Sequence, residues 1–584
     1  MLRRMFVALG LMLVAGALSP VVVAEELPPP SRWLPRDTVV SLEITQPKEV
    51  VNLLVDSKLA EAVMNHPAYK QATAQPGFQQ FRGVIQYLEG QLDTDWKSGL
   101  KKLTGRGVTA AITSKGVVVV MMDAEDGKLL TRLWDMISGF AKTEAANQGN
   151  PNRVKSAEYR DATCWEFGDG RAHAIVGSRY VSANNPEGLK AVLDVRAGSE
   201  SGSLAALPAY QAARKATGEG ATAAAFVNLA ALKQHPAVQQ AINKNTNPMA
   251  ALLFAGLIDS VRQSNWLALA LKVEDQSLTL ETTIDSKGAG KSELAAFARA
   301  EKPGEGILPN LAVPRMIAGM SFYRDLHGFY AAKDKLFPER TSGLILFENM
   351  MGIFFSGRDL TEEVLSQFRP EIRFVVAEQK YDPEVGTPQI QIPAFALVLK
   401  VFNPKDASEL MEEAFQKAIG LVSFTSGQKG VPGLIVDRPT HSDVRYTVAY
   451  SGRIRDAGKG PVGMRYNFRP ALAKLGDYVV VSSTDGLVRD LIDALKKEIT
   501  TPPKAQPETN SLVEVDGAQL SSLLAANRSA LVRQNMTEKG TSQREAETNI
   551  GTLLAAVKLF GKATLTFGER DDKVQARLAV KLNP

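Results

Sequence analysis

Short runs of apolar residues bounded by turn-formers alternate along this chain with stretches whose apolar residues recur three or four apart. Val108–Ile112 and Val117–Met122 are strand-like, and Thr113-Ser114-Lys115-Gly116 between them reads as a hairpin turn. Leu129, Leu130, Leu133, Trp134 and Ile137 have helical spacing. Hairpins mixed with helices predict an α+β fold of mainly antiparallel sheet with helices packed on one face.

The same succession runs through the chain twice. Tyr180-Val181, Glu187-Gly188-Leu189 and Leu193 overlay without a gap on Tyr478-Val479, Asp485-Gly486-Leu487 and Leu491. Each reads as a strand, a polar turn and a helix. Asn184-Asn185-Pro186 and Ser482-Ser483-Thr484 supply acceptors for the free N–H groups at the helix start. Pro35-Arg36 and Pro314-Arg315 open the two copies, each followed by an apolar strand (38–44 and 317–323). Asp95-Trp96 matches Asp359-Leu360, and Phe226-Val227-Asn228 matches Glu514-Val515-Asp516. Hairpins around Asp275 and Asp571 close the copies. Ordered matches at a long period predict a duplicated module. The second copy is longer at 380–393 and 454–463, which are expected to be surface loops.

Arg3-Arg4, the apolar stretch 6–18 and Val22-Val23-Ala24 form a secretory leader, with cleavage expected after Ala24. Retention as an N-terminal anchor is the alternative, although the apolar run is short and Ser19-Pro20 interrupts it. Arg3-Arg4 also faintly resembles a twin-arginine signal. Pro28-Pro29-Pro30 reads as extended. The expected organisation is therefore a signal peptide (1–24), a spacer (25–33), a first module (34–285), a linker (286–312) and a second module (313–584). No later run is long and apolar enough to cross a bilayer.

The net charge is +5. Removing Arg3 and Arg4 leaves +3 (5 − 2), too little to imply nucleic acid or an anionic membrane. Cys164 is the single cysteine, which excludes an internal disulfide and reads as an inert thiol in a strand. His66, His173, His235, His327 and His441 contain no close pair, so zinc-type spacing is absent. His66-Pro67-Ala68 with Gln71-Ala72 is echoed by His235-Pro236-Ala237 with Gln240-Ala241, and both read as caps or turns. Ser286-Lys287-Gly288-Ala289-Gly290-Lys291-Ser292 lacks the first glycine of a phosphate loop, having Asp285 there, and reads as linker. His441-Ser442-Asp443 reads as a turn, since triad members come from separate segments. Asp123, Glu125, Asp126 and Gly127 lack the spacing of a calcium loop and read as a turn. No serine-hydrolase elbow is present. No catalytic, cofactor-binding or metal residue can be assigned, and no cofactor is implied.

Residues 344–355 are the most hydrophobic stretch outside the leader. They could line a ligand groove or touch a membrane. A buried helix is the expectation, because Phe78, Phe81, Ile85 and Leu88 keep helical spacing at the matching place. All five tryptophans (33, 96, 134, 165, 266) lie in the first module, which is where a recognition surface or simply a packed core would put them.

The opening Leu34-Pro35-Arg36-Asp37-Thr38, the strand–helix unit after it and the Tyr180-Val181…Leu189…Leu193 element resemble a group of large exported bacterial proteins known only as domains of unknown function. The resemblance implies an envelope or secreted location and offers no site residues. The leading expectation is a periplasmic or secreted, non-enzymatic protein with a binding, scaffolding or envelope-assembly role and an envelope protein or polymer as partner. The alternatives are an extracytoplasmic hydrolase whose carboxylates converge only in the fold, and a carrier of an apolar ligand.

Overall fold

The computed structural model describes residues 27–583 apart from 66–68, 71–72, 237, 240–251, 255–256, 275, 286–295, 303, 338–340, 453–461 and 571–572. The leader, His66, Asp275, Asp571 and the Ser286–Ser292 stretch lie outside the described residues. The chain divides into two compact units. One holds residues up to 244 together with 264–285, the other 245–263 together with 286–583.

The strands of the first unit are β1 (Thr38–Ile44), β2 (Gly107–Thr113), β3 (Val118–Asp123), β4 (Lys155–Tyr159), β5 (Ala162–Glu166), β6 (Ala172–Val176), β7 (Arg179–Ala183), β8 (Ala223–Asn228), β9 (Trp266–Glu274) and β10 (Ser277–Asp285). All pair antiparallel, in the order β10-β9-β8-β1-β2-β3-β7-β6-β5-β4. Its main helices are α1 (Pro76–Leu92), α2 (Trp96–Leu103), α3 (Gly127–Asn147), α4 (Pro186–Ala197) and α5 (Pro208–Thr217).

The second unit contains β11 (Met316–Tyr323), β12 (Phe368–Ala377), β13 (Ala394–Val401), β14 (Leu434–Asp437), β15 (Thr440–His441), β16 (Val444–Ser451), β17 (Ala471–Leu475), β18 (Tyr478–Ser482), β19 (Thr509–Asp516), β20 (Phe560–Arg570) and β21 (Lys573–Leu582). Their antiparallel order is β21-β20-β19-β11-β12-β13-β18-β17-β16-β14, with β15 also on β16. Its main helices are α6 (Leu257–Gln263), α7 (Thr341–Phe354), α8 (Pro404–Gln428), α9 (Asp485–Thr500), α10 (Gly517–Ala526), α11 (Arg528–Lys539) and α12 (Gln543–Leu559). Strand for strand, the two orders coincide, with β1 in the place of β11 and β7 in that of β18.

The fold is α+β, and its sheets are antiparallel. The helices, expected on one face, lie on both. Along β13, Ala396 and Val398 join the core beneath α9, whereas Leu399 joins the core beneath α8. Successive side chains of a strand point to opposite faces, so both faces of these apolar strands need cover. In the first unit Met121 packs with α4 and Met122 with α3 for the same reason.

Side-chain caps start the helices where polar residues precede the apolar periodicity. Asn185 accepts from Gly188 N at 2.7 Å, and Thr484 accepts from Leu487 N at 3.3 Å. Asp126 accepts from Leu129 N at 3.0 Å and so begins α3, which is its role in the acidic cluster. Asp126→Ala should cost about 1 kcal/mol, the worth of one N-cap, read as a lowered midpoint in urea unfolding.

Residues 27–33, expected as an extended spacer, are built into the first unit. Trp33 is 2% exposed and joins the main core. The Arg179 guanidinium lies 4.4 Å over its ring and donates to Pro28 O at 2.8 Å. Arg179 is itself buried in a two-pronged pair with Asp123. The expected linker behaves similarly, because Ile307, Leu308 and Leu311 are buried.

Candidate functional site

Amphipathic helices normally hide their apolar stripe. α7 has no polar side to turn outward. Of its sequence Thr-Ser-Gly-Leu-Ile-Leu-Phe-Glu-Asn-Met-Met-Gly-Ile-Phe, Glu348 alone is charged, and Lys333 pairs with it at 3.2 Å. Leu344 and Met351 rest on the core beneath α8. Ile345, Leu346, Phe347, Met350 and Ile353 remain exposed, Leu346 by 64% and Ile353 by 63%. The expected buried helix is therefore a surface helix. One packed side is all that a helix laid over a single neighbour can hide, and here the other side is apolar too. The matching helix α1 is also peripheral, with Phe78 and Tyr87 exposed.

α8, which packs beside α7, also carries exposed apolar residues. It is anchored by Leu410, Phe415 and Ile419, while in its second half Leu421, Val422 and Phe424 are exposed. Beneath this second half, against β14, lies a cavity of about 540 Å³. Phe415, Ile419, Leu434 and Val436 give it apolar walls, and Gln416, Thr447 and Arg438 line its polar side.

Glu412 organises the polar side. Its carboxylate accepts from Thr447 Oγ1 at 3.0 Å, Gln416 Nε2 at 3.1 Å and Arg438 Nη2 at 3.3 Å, and Lys474 Nζ lies 3.4 Å away. Burial pushes this carboxyl up, but the donors from Gln416, Thr447 and Lys474 outweigh it and hold it below its ordinary value. It stays charged and matched, as a structural hub rather than a proton donor.

The residues weighed as chemistry fall elsewhere and do not converge. Ser442 and Asp443 have φ of 48° and 63° and form the tight turn between β15 and β16. His441 Nε2 lies 2.9 Å from Asp493, and Ser442 Oγ donates to the same carboxylate at 2.7 Å. The hydroxyl thus bonds the acid rather than the imidazole, so no base is poised on the serine. His235 is exposed, and His327 lies 3.7 Å from Glu362. Cys164 pairs in register with Ala174 and packs against the main core of the first unit. His173, one residue before Ala174, points to the opposite face. Burial pushes the Cys164 thiol up, which suppresses the thiolate. Among the described residues no group of three or more His, Cys, Asp or Glu could hold a metal ion.

All five tryptophans are at least half-buried, and Trp33, Trp134, Trp165 and Trp266 pack in cores of the first unit. Trp134 meets Trp165, Phe167, His173 and Tyr180 at ring-centroid distances of 5.2–5.5 Å. The long loop of the second unit is pinned as well. Asn467 accepts from Tyr381 Oη and Ile392 N at 2.8 and 2.9 Å and donates to Ile390 O at 2.9 Å.

No family model and no curated protein matches the chain. Solved structures of TP0453 are similar to part of it. Crystal form I is 9% identical with a TM-score of 0.23, over 44% of this chain and 79% of that one. Form III is 9% identical with a TM-score of 0.24, over 46% and 85%. Similarity this low carries no argument about fold or activity. No helix among the described residues is long and apolar enough to cross a membrane.

Proposed function

We infer that this is an exported, non-enzymatic binding protein of the cell envelope, built from two copies of one module, and that its second module docks an envelope protein on the apolar surface of α7 and the end of α8. The observation that carries this reading is the exposure of Ile345, Leu346, Phe347, Met350 and Ile353 on one helix beside Leu421, Val422 and Phe424 on its neighbour. Apolar surface gathered in this way marks an interaction site more often than an idle face. The leader supports export, and the coinciding strand orders support duplication.

The test is site-specific photo-crosslinking in the native envelope from position 346. A discrete crosslinked protein is expected, lost in the Ile353→Asp variant while the melting temperature stays within a degree or two, since exposed substitutions cost little. Crosslinking to lipid alone would overturn the reading. Mature protein beginning at Glu25 is the expected product of export.

A further inference from the structure

A strand at the end of a sheet exposes a row of unpaired N–H and C=O groups, and proteins usually protect it with charge or cover. The two units treat the same position differently. β4, last in the first sheet, reads Lys-Ser-Ala-Glu-Tyr and is polar. β14, last in the second, reads Leu-Ile-Val-Asp, with Ile435 48% and Val436 50% exposed. Among the described residues β14 pairs with β16 alone.

The direction of its free groups follows from two bonds. Leu434 N–H is turned from β16 and donates to Ser423 Oγ on α8 at 3.1 Å. Ala449, opposite Val436, donates its N–H to Pro470 O on its other side at 2.8 Å. Residues of an antiparallel strand alternate in the side to which they present both backbone groups. Val436 N–H and C=O therefore face outward, where an added strand would lie. Leu434 and Val436 also line the cavity under α8, so side chains of an added strand on that face would meet Phe415 and Ile419.

We propose that the β14 edge accepts a short extended segment of a partner protein by strand addition, with alternate apolar side chains entering the cavity beneath α8. Main-chain bonds to Val436 give such a complex its affinity, and the cavity reads the alternation. Lys429, exposed before β14, favours an acidic residue beyond that end of the apolar positions, whereas Arg438 at the other end is already paired with Glu412 and has the exposed Asp437 beside it. This deepens the proposed function by naming the form of the partner, and it rests on that reading only for the partner's location in the envelope.

The probe is a fluorescein-labelled peptide, Asp-Val-Thr-Val-Thr-Val-Asp, titrated against the full-length protein and read by anisotropy. Two versions are N-methylated on alternate sets of amides. Saturable binding is expected, at least tenfold weaker for one methylated version and little changed for the other, because a ladder uses one side of the strand. Val436→Pro should weaken binding by the same factor, while Ile353→Asp should leave it unchanged, which separates this proposal from the α7 surface. Equal binding of both methylated versions, or of a shuffled peptide, would overturn it, as would concentration-dependent dimerisation abolished by Val436→Pro in place of peptide binding. The methylated pair decides the matter even if the proline variant fails to fold.

Discussion

Arg324→Met will cost the second unit about 3–5 kcal/mol, the range for a broken buried polar network. Arg324 is 3% exposed, and burial pulls its guanidinium down to about 10. It nevertheless holds a charge, because every bond around it accepts. Nε donates to Leu252 O at 2.6 Å, Nη1 to Tyr323 O and Asn510 O at 2.7 Å each, and Nη2 to Leu253 O at 2.9 Å and Ser511 Oγ at 2.7 Å. Methionine fills much of the volume but takes the donor from two buried acceptors, Tyr323 O and Ser511 Oγ, at about 1–3 kcal/mol each if they acted alone, and from three part-buried ones at less. Lysine keeps the charge and cannot reach all five, so it should recover only part of the loss. Urea unfolding of the full-length protein measures both, and a change below about 1 kcal/mol in Arg324→Met would refute the network's importance.

The same residues explain why a simple cut near the boundary at residue 286 will fail. Segment 245–263 sits in sequence between β8 and β9 yet belongs to the second unit. Leu252 also packs with Phe297, Phe329 and Phe337. A second unit expressed from residue 286 would lack two of the Arg324 acceptors, Leu252 O and Leu253 O, and one wall of that cluster. Cooperative melting is expected only when 245–263 is supplied.

Periodicity and caps were sufficient to read most of the strands and helices, because both are local. The Tyr180…Leu193 and Tyr478…Leu491 elements fall on β7–α4 and β18–α9, in equivalent places of equal strand orders. What was not legible depends on partners far away in sequence. Asp123 looked like a turn residue, and its pairing with Arg179 spans 56 positions. Residues 344–355 looked buried because hydropathy counts apolar atoms and not the neighbours available to cover them. β14 escaped notice because four residues after Gly433 give too short a period to separate from a loop, and its edge position is a property of the sheet. Arg324 carries no local signal at all, since its ligands are mostly backbone carbonyls.

Acid will destabilise the first unit through His173, by about 1.4 kcal/mol per pH unit between roughly pH 6.5 and 4. The imidazole is buried beside Trp134, Phe167 and Tyr180, with Nδ1 2.7 Å from Tyr180 Oη. Burial holds it at about 4, against an ordinary 6.5. Above pH 6.5 both folded and unfolded chains keep this group neutral, and it contributes no pH dependence. As the pH falls from 6.5 towards 4 the unfolded chain binds a proton that the folded chain refuses, so stability declines. Below 4 both are protonated and the loss levels off at about 3 kcal/mol, the 2.5-unit difference converted. The measurement is the urea midpoint of the wild type and His173→Phe at half-unit steps from pH 7.5 to 4. The variant should start lower, because Tyr180 Oη loses one of its partners, but its slope in this window should be shallower by the stated amount. Parallel slopes would mean that the imidazole accepts its proton inside the fold, and that the aromatic cluster is more open to water than its packing implies.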